Sequence, residues 1–209
     1  MPFIGIVPPT TRVQGLYGGA SNASLGSAPL NNIVDASAQN VPGLVGWYKD
    51  PVFGRISVLA YSQAQASIPF GACLKHVAGD ATTLSSAGAS TENGQGCAFV
   101  QQSPTGSTTS GYAYQFAGVA AASVINTGYY FWRYISGYVP FAKVGSVIAT
   151  GVALTPAPST AGVLGKMNAT FNASNATSAT AFVAVGYVLT TSDAADGSMS
   201  SVWLSGWYA

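Results

Sequence analysis

The chain has 209 residues, of which 48% are hydrophobic and only 6% are Asp, Glu, Lys or Arg, and its formal net charge is +1. An ordinary soluble domain carries about 25% charged residues, and a free monomer relies on interspersed charges to stay dispersed. The hydrophobic content excludes disorder throughout and suffices for one sizeable core or two small ones. We therefore expect other protein to cover much of the surface.

The distribution of charge also bears on the class of partner. The seven basic residues are scattered, whereas phosphate binding needs clustered Lys and Arg, so no nucleic-acid partner is expected. The longest apolar runs, such as Phe116–Ile125, fall well short of the ~20 residues of a spanning helix, so no membrane partner is expected either. The forty residues from Asn93 to Trp132 carry no formal charge, which favours packing against protein.

Residues 1–42 are predicted to form an extended N-terminal arm. Their prolines and glycines oppose both helix and regular sheet, yet their apolar content exceeds that of a solvated tail. We expect the arm to become ordered by lying on a neighbouring protein, either another copy of this chain or a different protein. With no basic segment at its start, the chain is expected to carry no secretory signal and to fold in a cytoplasm. The arm residues assigned to an interface are Phe3, Ile4, Ile6, Val7, Leu16 and Tyr17.

Residues 43–209 have the pattern of an all-β domain, either a small β-barrel or a β-sandwich, which could divide into sub-modules at about 43–115 and 116–209. Short runs rich in Val, Ile and aromatic residues alternate with Gly, Ser, Thr, Asn and Pro clusters. The stretches Ala78–Gly96 and Asn168–Thr180 are low in complexity and are predicted to be loops. The predicted strands are Val52–Tyr61, Ile68–Lys75, Cys97–Gln101, Tyr112–Ser123, Tyr129–Ile135, Ser146–Leu154, Ala181–Leu189 and Ser201–Tyr208.

Few residues could carry out acid or base catalysis, since the chain has one His, one Glu and five Asp. Cys73 and His76 are too far apart along a strand, on opposite faces, to act as nucleophile and base. Asp193 and Asp196 resemble a calcium loop only superficially, because alanines occupy the intervening positions; a turn is expected there. No catalytic residue, cofactor or metal is therefore predicted. Whether Cys73 pairs with Cys97 is left open, because pairing depends on Cα separation.

The aromatic residues are the remaining functional candidates. They could be stacking platforms for a sugar, anchors for a protein interface or parts of the core. The run Tyr129–Trp132 places rings on both faces of one strand, so one face could lie inside the subunit and the other against a partner. The residues of the domain assigned to an interface are Tyr129, Phe131, Trp132, Trp203 and Trp207.

The order of motifs after Gly43 resembles the structural cement or decoration proteins of tailed-bacteriophage capsids. The resemblance lies in Gly54–Ser57 leading into the Ile-Pro-Phe-Gly run Ile68–Gly71, in Phe116–Ala120, and in three later stretches. Those later stretches are Val147–Leu154, Thr160–Val163 and Phe182–Leu189. The sequence departs from the family in having fewer acidic residues and a long Asn-rich stretch at 168–180.

This resemblance implies a non-enzymatic virion protein on the outer surface of the head. Such proteins bind the major capsid protein across subunit boundaries, often as trimers, so the implied partners are the capsid protein and other copies of this chain. The alternative is a carbohydrate-binding or host-adhesion β module that uses exposed Trp and Tyr. A small hydrolase is a third possibility, which the shortage of titratable residues opposes.

Overall fold

The computed structural model describes residues 34–40, 42–49, 54–76, 99–102, 116–124, 126–157, 160–167, 184–193 and 195–205. Every regular element in these residues is a β-strand, which confirms the all-β fold class. Across the same ranges there is no helix long and apolar enough to span a bilayer. The strands are β1 (Val34–Asp35), β2 (Val45–Lys49), β3 (Ile56–Ala64), β4 (Cys73–His76), β5 (Phe99–Gln102), β6 (Phe116–Ala120), β7 (Tyr130–Val144), β8 (Ala153–Pro156), β9 (Leu164–Lys166), β10 (Gly186–Val188) and β11 (Ser198–Leu204).

Each of the eight predicted strands overlaps a strand of the structure. The sequence pattern missed β1, β2 and β9, because β1 and β9 have only two and three residues and glycine interrupts the apolar pattern of β2 and β9. The prediction for β7 ended at Ile135, nine residues too early, because Pro140 breaks the strand pattern. β1 lies within the stretch assigned to the arm and pairs with β7.

All the strands belong to one mixed sheet, which is not a single closed barrel. Their pairings follow two circuits that share β7. The first runs from β7 through β6, β4, β5 and β3 and back to β7, and only β3 with β5 is parallel. The second runs through β9, β8, β10 and β11 and back to β7, and only β7 with β9 is parallel. Strands from both sides of residue 115 therefore hydrogen-bond to one another.

Both faces of β7 are buried by the chain itself. Trp132 and Tyr134 belong to the larger of two hydrophobic clusters, where the Trp132 ring lies 5.1 Å from that of Tyr61. Phe131, on the opposite face, belongs to the smaller cluster together with Leu74 of β4. A central strand with two covered faces needs apolar residues at nearly every position, and β7 meets that demand without alternation.

Arg133 lies in the middle of β7 and is fully buried. Its Nε donates a hydrogen bond to Ser62 Oγ on β3 at 2.7 Å, and its Nη1 donates to the carbonyl of Ala117 on β6. A buried guanidinium requires such partners, because removing it from water without them is costly. The side chain thus connects the three strands β3, β7 and β6 in the first circuit.

β7 changes register with its neighbours at β-bulges. Val202 of β11 pairs with Val139 of β7, and Ser200 pairs with Ala142. Two residues of β7, Pro140 and Phe141, therefore stand opposite the single residue Ser201 of β11. Proline has no N–H to donate, and a bulge is one of the few places in a sheet that accept it. A bulge also sharpens the bend of a strand, which lets β7 pass from one circuit to the other.

Most of β3 is buried, but its first two residues reverse the usual placement of apolar and polar side chains. Ser57 and Leu59 are fully buried, whereas Ile56 is 52% exposed. Ser57 is accommodated because its hydroxyl donates to the carbonyl of Tyr138 on β7. The polar group is satisfied inside the sheet, and an isoleucine is left outside.

Gly118 on β6 offers a test of this packing. Its φ is +105°, and a Cβ there would overlap the carbonyl oxygen of Tyr134 on β7. We expect Gly118→Ala to lower the free energy of unfolding by about 3 kcal/mol or more, from left-handed strain together with the clash. Gly151→Ala is the matched control, because φ is +82° but nothing lies within 4 Å of the Cβ. That control should cost only about 1–2 kcal/mol. Equal losses for the two variants in urea unfolding would contradict the close approach of β6 and β7.

Candidate interaction surface

Five large hydrophobic side chains are exposed within the part of the chain that the structure describes. Val147 is the most exposed at 69%. Such residues are unremarkable when scattered singly, but a contiguous set marks an interaction site. The others are Trp47 (42%), Ile56 (52%), Tyr187 (38%) and Met199 (40%).

Three of the five, Trp47, Ile56 and Tyr187, lie in one row across the sheet. Trp47 of β2 pairs with Val58 of β3, and Ile56 stands one pair further along the same face. On the other side of β7, Trp203 of β11 pairs with Tyr187 of β10. Directly opposed residues in neighbouring strands share a face of the sheet. We call the set Trp47, Ile56, Trp203 and Tyr187 the exposed band.

Tyr138 of β7 joins the two halves of the exposed band. It pairs with Trp203, and because Ser57 pairs with Gly137, the next step along β3 brings Ile56 beside Tyr138. Tyr138 is only 3% exposed, since the guanidinium of Arg55 lies 5.0 Å above the centre of its ring. This cation–π contact places a positive charge beside Tyr138, and the exposed Lys49, which pairs with Ile56, places a second one on the same face.

The exposed Val147 lies elsewhere, at the tip of the turn after β7. It is the one non-glycine residue with positive φ among the described residues, at 47°. Hydrogen bonds hold this turn: the N–H of Val147 donates to the carbonyl of Asp193 at 3.0 Å, and the N–H of Ser146 donates to Asp196 Oδ1 at 2.8 Å. The aspartates that resemble a calcium loop therefore serve to shape a turn, as predicted.

The structure separates the aromatic residues that the sequence assigned to an interface. Phe131 and Trp132 are fully buried in the two cores of the chain. Tyr129 is half-buried against the smaller core, and Trp203 is half-exposed in the band. Trp207 and the arm residues Phe3, Ile4, Ile6, Val7, Leu16 and Tyr17 lie outside the described residues.

Sequence reasoning did not select Trp47, Ile56 and Tyr187 as interface residues. Trp47 follows Gly46 in a five-residue strand that the pattern missed. Tyr187 lies between Gly186 and Val188 in a run that is apolar throughout. Neither position differs from a core position in sequence, because exposure is set by which neighbouring strand covers which face.

The residues considered for catalysis are not brought together. Cys73 is fully buried in the larger core, and its predicted candidate partner Cys97 lies outside the described residues. His76 is half-buried at the other end of β4. Within the described ranges no group of three or more His, Cys, Asp or Glu side chains could hold a metal ion.

Comparisons with known proteins found a similarity among solved structures only. No family model matches the chain, and no curated protein matches it. Among solved structures, the N base of head fiber gp8.5 of bacteriophage phi29 is similar, with a TM-score of 0.39 and 15% identity over 70% of this chain and 92% of that chain. A likeness of this size does not establish a shared function.

The exposure of Ile56 in the band can be tested by measuring the free energy of unfolding of variants. Ile56 is 52% exposed and Leu59, on the same strand, is fully buried. We expect Ile56→Thr to change the free energy of unfolding by less than about 1 kcal/mol, and Leu59→Thr to lower it by about 3 kcal/mol, because only the second opens a cavity and buries a hydroxyl. Urea unfolding of both variants measures the difference. A loss for Ile56→Thr as large as that for Leu59→Thr would show that Ile56 is not exposed.

Proposed function

We propose that this chain is a non-enzymatic virion protein of a tailed bacteriophage, which binds the outer surface of the capsid across subunit boundaries and stabilises the head as a homotrimer. The observation that carries the proposal is the exposed band. It crosses five strands and presents two tryptophans, an isoleucine and a tyrosine on a chain with only 6% charged residues.

The composition of the band favours a protein partner. Aromatic residues and arginine are enriched in the buried centres of protein interfaces, and here Arg55 lies on Tyr138 between Trp47 and Trp203. Covering such side chains contributes about 25 cal/mol for each Å² of apolar surface. A contact of this kind depends little on salt, because screening acts on charges.

The partner is inferred from the resemblance to capsid cement proteins, and the structure clarifies what that resemblance contains. Ile68 is fully buried and Phe116 is 2% exposed, as are most residues of the motifs around them. These two motifs therefore support a similar fold, whereas the motifs Gly54–Ser57 and Phe182–Leu189 contain Ile56 and Tyr187 of the exposed band. The contact surface of this chain is assigned to the exposed band.

A capsid-bound clamp of this type stabilises the assembled state only. Because it binds across subunit boundaries, its binding free energy adds to the stability of the shell and not to that of free subunits, as mass action requires. Several linked contacts in one oligomer raise the effective affinity further. These two effects explain how a small protein without an active site could protect a head.

The test uses purified expanded heads of the parent phage that lack this chain. Wild-type protein should bind with a fixed number of copies per head and raise the temperature at which heads release DNA. The variant Trp47→Ser/Tyr187→Ser should bind at least tenfold more weakly, because it removes two exposed rings of the band. Val147→Ser, which removes a more exposed side chain outside the band, is the control and should bind as wild type does.

Other outcomes of that experiment would contradict the proposal. Full binding by Trp47→Ser/Tyr187→Ser would remove the band from the interface, and no binding by wild type would remove the capsid as partner. Absence of head binding together with ring-dependent binding on a glycan array would favour the carbohydrate-binding alternative, since Trp47 and Tyr187 are exposed aromatic side chains.

A further inference from the structure

Residues 34–40 form a short segment beside the start of β7, which we call the strap. Only β1, at the beginning of the strap, is in regular structure, and β1 makes two residue pairs with β7. The side chains of Ala36–Gln39 are exposed. Few backbone pairings and high exposure are typical of a segment that opens locally while the rest of a domain stays folded.

One hydroxyl group binds the strap at two points. Tyr61 of β3 is fully buried, and its hydroxyl donates a hydrogen bond to Asp35 Oδ2 at 2.9 Å. The same oxygen accepts a hydrogen bond from the backbone N–H of Gln39 at 3.2 Å. A single side chain of the sheet therefore holds the strap near both of its ends.

These two bonds use the hydroxyl both as a donor and as an acceptor. A hydroxyl has one hydrogen to donate and lone pairs that accept. The Asp35 carboxylate accepts and the Gln39 N–H donates, so the hydroxyl must act in both senses at once. A hydrogen bond to a carboxylate is also stronger than one between neutral groups. Phenylalanine, which has nearly the same shape, can make neither bond.

The position of this hydroxyl is set by the sheet. The backbone of Tyr61 pairs with Trp132 of β7, and its N–H donates to the carbonyl of Leu44 at 2.8 Å. Its ring lies 5.1 Å from the ring of Trp132 and 5.9 Å from that of Tyr130. The hydroxyl is thus a fixed point to which the strap attaches.

The closed strap also connects the two hydrophobic clusters. Val34 is half-buried against the smaller cluster, whereas Tyr61 belongs to the larger one. Both contacts are made by side chains at the margins of their clusters, so the strap can leave without opening the circuits of strands, none of which includes β1.

We propose that the strap opens and closes as a unit, with the Tyr61 hydroxyl as its latch. In the closed state the hydroxyl satisfies a carboxylate and an N–H that both belong to the strap. In the open state water satisfies those two groups. Removing the hydroxyl therefore raises the free energy of the closed state alone, because a polar group that loses its partner away from water is destabilising.

Opening changes where the preceding chain joins the domain. The seven residues 34–40 can span roughly 20 Å when extended, so Val34 gains that freedom of movement once it leaves β7. The inference concerns a conformational change within one copy of the chain and goes beyond the proposed function. Its experiments contain no capsid, so failure of either idea leaves the other standing.

The first experiment measures hydrogen exchange of the full chain by mass spectrometry. In Tyr61→Phe the amides of residues 34–40 should exchange about tenfold faster or more than in wild type, since a hydrogen bond to a charged group is lost, while those of β11 keep the wild-type rate. Tyr130→Phe is the matched control. It removes a neighbouring hydroxyl that accepts from Gln63 Nε2 at 3.0 Å, and it should leave exchange of the strap unchanged.

Three results of this experiment would overturn the proposal. The first is unchanged exchange of the strap in Tyr61→Phe, and the second is the same acceleration in Tyr130→Phe. The third is acceleration of β11 by the same factor as the strap, because that pattern reports unfolding of the whole domain.

Variants of Asp35 test the latch from the strap side. Asp35→Ala should accelerate exchange of the strap, and Asp35→Asn, which keeps an oxygen that accepts from Tyr61, should do so less. In the background of Tyr61→Phe the effect of Asp35→Ala should shrink, because the partner is already gone. An equal effect of Asp35→Ala in both backgrounds would show that the hydroxyl is not the latch. Should Tyr61→Phe fail to fold, unchanged exchange of the strap in Asp35→Ala overturns the proposal.

Discussion

The fold depends on one strand that hydrogen-bonds along both edges and buries both faces. Tyr130 of β7 pairs with Gln63 and Asp35, and further along Gly137 pairs with Ser57 and Leu204. Because both circuits close through β7, a change that straightens or shortens this strand disrupts both together. β7 has 15 residues and must bend to pair within both circuits. The bulge at Pro140 and the close approach of Gly118 to Tyr134 allow this bend.

This arrangement accounts for much of the unusual composition. A strand covered on both faces leaves little room for charge: Arg133 in the middle of β7 is satisfied by Ser62 and Ala117, and the partly exposed Lys143 lies near the end of the strand. The circuits also pair nearly all strand edges internally, so little charge is needed to protect them. Some large apolar side chains nevertheless remain on the outside, among them Ile56 and Tyr187.

The sequence by itself determined the all-β class and the approximate positions of eight strands, with some ends wrong by up to nine residues, because short β-branched and aromatic runs between glycines and prolines have few other stable states. It also established the scarcity of catalytic groups. Only the tertiary structure decided which aromatics are covered: Trp132 and Trp47 lie in similar local sequence, yet one is in the core and the other in solvent. That difference comes from long-range pairing: among the described strands β7 has partners on both sides and β2 has one, and no local pattern encodes the number of a strand's neighbours.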